Sequence, residues 1–186
     1  MLLTQAGYLT IKAVDGDTVT LGYPNKEVAQ SMARLYTEVM LSKDALNQTG
    51  KRFLATLLEK GDASGFVQKL NKIFLEVDYT KYPIQNEAAC NTAVYLMLQC
   101  TGLEPILEVH NALGRSDLEV DAGEIHRVLE FKFTRELNLA EGFCKEGIEQ
   151  VKTRRYGEQF ERKNLRRLVL VFAQDAKQFV CWSEVD

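Results

Sequence analysis

Gly114-Arg-Ser-Asp117-Leu-Glu-Val-Asp121-Ala-Gly-Glu124-Ile-His-Arg-Val-Leu-Glu130-Phe-Lys132-Phe133 is the stretch that decides the fold. Val120 to Ile125 reads as the bend of a β-hairpin, with Asp121 opposing Glu124. Side chains alternate across a strand. Asp117 and Glu119 then share one face with Val128, Glu130 and Lys132, while Leu118 and Val120 share the other with Leu129, Phe131 and Phe133. The apolar set falls on one side, which supports the register independently of any functional idea.

In that register Asp117 and Glu130 are diagonal neighbours on one face, with Cβ atoms roughly 7 Å apart. Two carboxylates so placed can both reach one hard cation. Mg²⁺ takes oxygen ligands and keeps several waters, so two carboxylates and a phosphate oxygen suffice for it. Lys132 sits on the same face, where an ammonium can meet a phosphate or steer a water. The spacing also fits a solvated sheet face with scattered charges, Lys132 simply pairing with Glu130.

Working outward, Asn86 is a helix N-cap and Gly102 a C-terminal stop, with Ala89, Ala93, Leu96, Met97 and Cys100 as the buried stripe between them. Strands are predicted near Ile106–Asn111, Arg115–Asp121 and Ile125–Phe133. Asn138 is expected to cap a helix reaching Lys152–Arg155, with a further turn through Tyr156–Phe160. Strands Leu168–Phe172 and Phe179–Trp182 close the chain. The order αβββαββ gives a mixed α/β sheet flanked by helices. Before it, alternating strands around Asp15-Gly-Asp form a hairpin. Helices follow, capped by Asn25 and Asp62, the latter burying Phe66, Leu70, Ile73, Phe74 and Val77. Tyr82 before Pro83 resists helix and marks a soft boundary. Residues 1–82 are therefore expected to form a hairpin-plus-helices segment, and residues 83–186 the α/β domain.

The chain has 186 residues, 46% hydrophobic and 26% charged, the profile of a globular protein. No apolar run approaches the ~18 residues of a membrane span, and the start lacks a signal-peptide pattern, so a cytoplasmic location is expected. Cys90, Cys100, Cys144 and Cys181 form no CxxC pair, and with only His110 and His126 beside them a structural zinc site is not expected. Neither histidine has a partner at a recognisable motif spacing. Thr49-Gly50-Lys51 lacks the first glycine of a phosphate loop, which rules out that motif. The net charge is −3, yet Val151 to Leu168 carries Lys152, Arg154, Arg155, Arg162, Lys163, Arg166 and Arg167 against Glu158 and Glu161. That bias is either a footprint for phosphates or a solvated helix face.

Taken together, these residues resemble the PD-(D/E)XK nuclease superfamily, and more narrowly its branch that usually follows an AAA-ATPase-like domain. The motifs that carry the resemblance are Gly7-Tyr-Leu-Thr-Ile, Leu21-Gly-Tyr-Pro-Asn-Lys-Glu-Val, Asn86-Glu87, Glu108, Gly114-Arg-Ser-Asp117, Glu130-Phe-Lys132 and Gln150 with Tyr156. Ser116 replaces the proline of Pro-Asp, and Ala88, Ala89 and Asn91 stand in a helix where members often carry aromatics and a histidine. The resemblance implies a restriction-endonuclease-like fold with an αβββαβ core and Mg²⁺- or Mn²⁺-dependent hydrolysis of phosphodiester bonds, with DNA as the expected substrate. It implies Asp117 and Glu130 as metal ligands, Glu87 as a further ligand, Lys132 as the catalytic lysine, and Gln150 lining the site. Arg115, Lys152, Arg154, Arg155 and Tyr156 would meet nucleic acid, a backbone contact that weakens with salt. An ATPase-like partner domain is the further implication. The alternative from another class is a catalytically silent module on the same fold, binding nucleic acid or protein as an ATPase accessory.

Overall fold

The computed structural model describes residues 2–40, 48–158 and 164–185. A short helix α1 (Leu2–Gln5) precedes the hairpin β1 (Thr10–Asp15) and β2 (Thr18–Gly22), then helices α2 (Lys26–Met40), α3 (Gln48–Glu59), α4 (Ala63–Phe74) and α5 (Glu87–Cys100). Strands β3 (Ile106–Asn111), β4 (Gly114–Ala122) and β5 (Ile125–Thr134) follow. A 3-10 turn (Leu137–Leu139) leads into α6 (Ala140–Arg154), and β6 (Leu165–Ala173) and β7 (Gln178–Val185) complete the chain.

The five-stranded sheet has the order β3-β4-β5-β6-β7. β3, β4 and β5 meander antiparallel, β5 pairs parallel with β6, and β7 returns antiparallel. Parallel neighbours require a crossover, and α6 supplies it. β5 and β6 are the most buried strands, because helices cover both faces of the sheet. On one face Leu118, Val120, Leu129, Phe131, Leu170 and Phe172 meet α3, α4 and α5 in a single core that includes Leu54, Phe66, Phe74 and Val94. On the other, Val128, Val169 and Val171 meet Cys144 and Val151 of α6. This mixed sheet flanked by helices is the restriction-endonuclease-like arrangement expected from the sequence.

Local chemistry sets the element ends. The side chains of Asn25, Asp62 and Asn86 accept hydrogen bonds from the amides of Val28, Gly65 and Ala89 at 2.9, 2.8 and 2.8 Å, each satisfying an orphan donor of a first turn. Gly102, at φ +93°, ends α5 just after its C-cap Thr101.

Three expectations are corrected. The hairpin closes with Ala122 opposite Ile125, two residues out of the expected register, so Leu118 faces Leu129 and Asp121 faces His126. Gly123 takes the first turn position at φ +59°, where a two-residue hairpin demands positive φ. Carried one step further, this register puts Asp117 opposite Glu130 rather than diagonal to it. Asn138 does not cap α6, whose start is a 3-10 turn without a side-chain cap. The buried face of α5 is Cys90, Ala93, Val94, Met97 and Leu98, because α2 lies along the side bearing Ala89 and Leu96. Of the turn expected over Tyr156–Phe160, residues from Gln159 onward lie outside the described residues, as do Glu161, Arg162 and Lys163.

Candidate active site

Strand β4 changes phase at Asp117. Gly114 faces α6, where an added Cβ would meet Arg154 Cδ at 2.6 Å. Ser116, two residues on, is wholly buried and donates its hydroxyl to Glu119 Oε1 at 2.7 Å. Residues three apart lie on opposite faces of a regular strand, so that bond requires a break in the pleat between them. The break is at Asp117. Val109 pairs with Ser116 and Leu107 with Leu118, while Glu108, between them, lies in the left-handed region at φ +55°. Asp117 instead accepts the Phe131 amide on Oδ2 at 2.7 Å, and its carbonyl accepts from Asn91 of α5 at 3.1 Å. The break inserts no extra residue, since the β3–β4 register is the same on either side of it, yet it turns the Asp117 side chain towards β5.

Glu130 and Lys132 come from β5, which is straight and central. Both are buried, at 1% and 5% exposure. Lys132 Nζ donates to Glu130 Oε1 at 3.0 Å and to Gln150 Oε1 at 2.9 Å. Gln150 Nε2 in turn donates to Glu130 Oε1 at 2.6 Å and to the Tyr156 hydroxyl at 3.2 Å. Helix α6 approaches closely enough for this because of Gly147, where a Cβ would stand 2.6 Å from Val169 Cγ1 and 3.5 Å from the Lys132 stem. A solvated sheet face is therefore excluded. Lys132 does pair with Glu130, but beneath a helix and with Gln150 bonded to both.

Electrostatics mark the cluster further. Burial, then the neighbouring Asp117 charge, pushes Glu130 up to about 7 despite Lys132. Burial also raises Asp117, against the Phe131 amide and the positive charges of Lys132 and Arg115. Glu87, the first residue of α5, is raised by burial as well, and stands 4.0 Å from Lys132 Nζ. For Lys132, burial works against the charge, but Glu130, Glu87 and Asp117 more than offset it and the ammonium is held. One cation faces three carboxylates.

A divalent ion fits the donor set. Glu130 Oε2 is buried and has no hydrogen-bond partner, and Asp117 supplies a second hard oxygen donor nearby. Among the described residues no group of three or more His, Cys, Asp or Glu side chains is placed to hold an ion. The remaining positions of an octahedral ion would fall to water and substrate oxygen, as Mg²⁺ prefers.

The other expected site residues are more scattered. Tyr156 is 1% exposed in the smaller core and supports Gln150 from beneath. Arg115 is exposed on β4 and pairs with Glu108 at 3.2 Å. Lys152, Arg154 and Arg155 are exposed at the end of α6, where Arg155 takes φ +50° and bonds Glu158 at 2.6 Å. Sequence reasoning missed Asn91, Glu119 and His126. His126 is buried with Nε2 at 2.9 Å from Glu119 Oε2 and Nδ1 at 2.7 Å from Asp121 Oδ1. Listing the same-face neighbours of His126 across the hairpin finds Glu119 and Asp121 in either register.

An antiparallel strand aiming a carboxylate at a Glu-x-Lys strand, within a helix-flanked mixed sheet, defines a restriction-endonuclease-like domain. The family match agrees: the PD-(D/E)XK nuclease superfamily covers residues 85–182, just over half of the chain, and the chain belongs to that superfamily. Its members are generally hydrolytic nucleases that typically use divalent metals, and some are inactive. No curated protein matches the chain. No helix among the described residues is long and apolar enough to cross a membrane.

Proposed function

We propose that the protein is a divalent-metal-dependent nuclease that hydrolyses phosphodiester bonds of DNA. The observation that carries this reading is the buried Glu130 carboxylate, with one oxygen held by Lys132 and Gln150 and the other without a partner. Asp117 and Glu130 would hold Mg²⁺ or Mn²⁺, with Glu87 reaching it directly or through water. Bound there, the ion supplies Lewis-acid stabilisation of charge on the phosphate. Lys132 orients the attacking water and places a fixed positive charge beside the scissile group. Gln150 fixes the Lys132 ammonium, and Tyr156 fixes Gln150.

Exposed Arg115, Lys152, Arg154 and Arg155 would grip the backbone without reading sequence. The family match over 85–182 supports residues 83–186 as the nuclease unit, with α3 and α4 contributing to its apolar core. An ATPase-like partner, implied by the resemblance of the N-terminal stretch, would meet the exposed Ile11, Val14, Val19 and Leu21 of the β1–β2 hairpin.

The test is cleavage of supercoiled plasmid and of single-stranded DNA with Mg²⁺, Mn²⁺ or EDTA, beside Glu130→Ala and Lys132→Ala. Metal-dependent cutting by wild type alone is expected. Wild type that binds no divalent ion, or variants that cut as well as wild type, would overturn the assignment.

A further inference from the structure

The hydrogen-bonded chain Asp121–His126–Glu119–Ser116 runs along the β4–β5 hairpin and ends one residue before Asp117. Its links are 2.7, 2.9 and 2.7 Å. Glu119 is 1% exposed, His126 is 6% exposed and Ser116 wholly buried. A carboxylate is costly to bury, and replacing a buried ion pair with apolar groups is often neutral or stabilising. Fold stability is therefore a weak reason for Glu119. Its position is the informative fact.

Glu119 Oε1 holds the Ser116 hydroxyl across the break at Asp117, and Glu119 Oε2 is held by the His126 ring. The side chains of residues 116 and 119 meet only while the pleat is broken at Asp117. That broken pleat lets the Asp117 carboxylate, instead of a regular ladder, take the Phe131 amide. We propose that Glu119 and His126 are positioning residues: they clamp the break in β4 that aims Asp117 at Glu130. The role in metal binding rests on the nuclease reading, while the clamp itself is a property of the fold.

A substitution separates clamp from bulk. In Glu119→Gln the amide oxygen still accepts from Ser116, and the amide nitrogen donates to a neutral His126 ring whose other nitrogen donates to Asp121. Glu119→Ala loses both ends. Amide hydrogen exchange of the ¹⁵N-labelled, metal-free chain reads the clamp at Phe131, with Leu129, which pairs with Leu118 beyond the break, as reference.

In Glu119→Ala, Phe131 should exchange at least about tenfold faster while Leu129 keeps its protection. Mg²⁺ affinity by calorimetry should fall about 10–100-fold, the range for groups that support a ligand from behind. Glu119→Gln should restore both towards wild type, which loss of packing alone would not do. Should Glu119→Ala fail to fold, Ser116→Ala, which removes only the hydroxyl, carries the same expectation at Phe131. Unchanged Phe131 exchange and Mg²⁺ affinity in the folded variant would overturn the proposal. Wild type that binds no Mg²⁺ would defeat the nuclease reading and leave the Phe131 result to decide the clamp.

Discussion

The two ends of strand β5 bury ionic groups in opposite ways. At the N-terminal end, His126 has a carboxylate on each ring nitrogen, and Glu119 has a donor on each oxygen. At the other end, Lys132 is shared among Glu130, Glu87 and Asp117, the carboxyls are pushed up by burial, and Glu130 Oε2 has no partner. The first cluster has a partner on both ring nitrogens of His126 and both oxygens of Glu119, while the second sets one ammonium against three carboxylates and leaves an oxygen unpartnered. A closed buried cluster specifies local geometry, whereas an under-compensated one stores instability that a ligand can relieve. The ladder makes the contrast sharper, since β5 and β6 pair without a register shift past both clusters. The difference lies in the side chains and in the break of β4 at Asp117.

Glu130→Gln should break the comparison most visibly. Gln keeps the shape and can still accept from Lys132, but it cannot ionise or bind a hard cation well. Cleavage should fall about a thousandfold, the upper range for losing one electrostatic contributor. Thermal stability of the metal-free protein at pH 8 should nevertheless rise, because the fold favours the neutral form of this group. Loss of activity together with lower stability would place Glu130 in the closed class.

His126→Leu should show the reverse. Removing one partner of a buried pair leaves Glu119 charged and under-compensated, which destabilises by about 3–5 kcal/mol. Urea unfolding measures this directly. A His126→Leu variant as stable as wild type would show that the cluster at this end is not held by ionic pairing.

The sequence made one end of β5 more legible than the other. Asp117, Glu130 and Lys132 could be placed on one face from alternation alone, because a register error of two residues preserves the faces. The His126 contacts were missed for want of a motif spacing, although either register sets Glu119 and Asp121 on the face of His126. The break at Asp117 was illegible for a different reason: it rests on Asn91 and Glu119, polar residues whose partners are 26 and 3 positions away, and no periodicity encodes them. The capped helices α4 and α5 were readable because Asp62 and Asn86 act within three residues of themselves. The approach of α6 to the sheet was not, since Gly147 matters only against Val169 of a strand formed later in the chain.

The smallest expected effect concerns pH, and it tests both ends at once. Glu130 sits near 7 in the fold against an ordinary 4.5. A carboxyl raised on folding contributes stability that is fully present below its unfolded value and lost as pH rises to its folded one. Stability should therefore decline between about pH 4.5 and 7, with Asp117 and Glu87 acting in the same direction. His126 is raised above 6.5: burial works against its charge, but the bonds to Glu119 and Asp121 outweigh that penalty. Its contribution is present below 6.5 and fades at higher pH, in a later window. Mg²⁺ favours ionised Asp117 and Glu130, so saturating ion should flatten the first window and leave the second in place. Urea midpoints from pH 4 to 9, with and without Mg²⁺, separate the two. If Mg²⁺ flattened both windows, the ion would act at both clusters; if it flattened neither, the open end of β5 would not be a cation site.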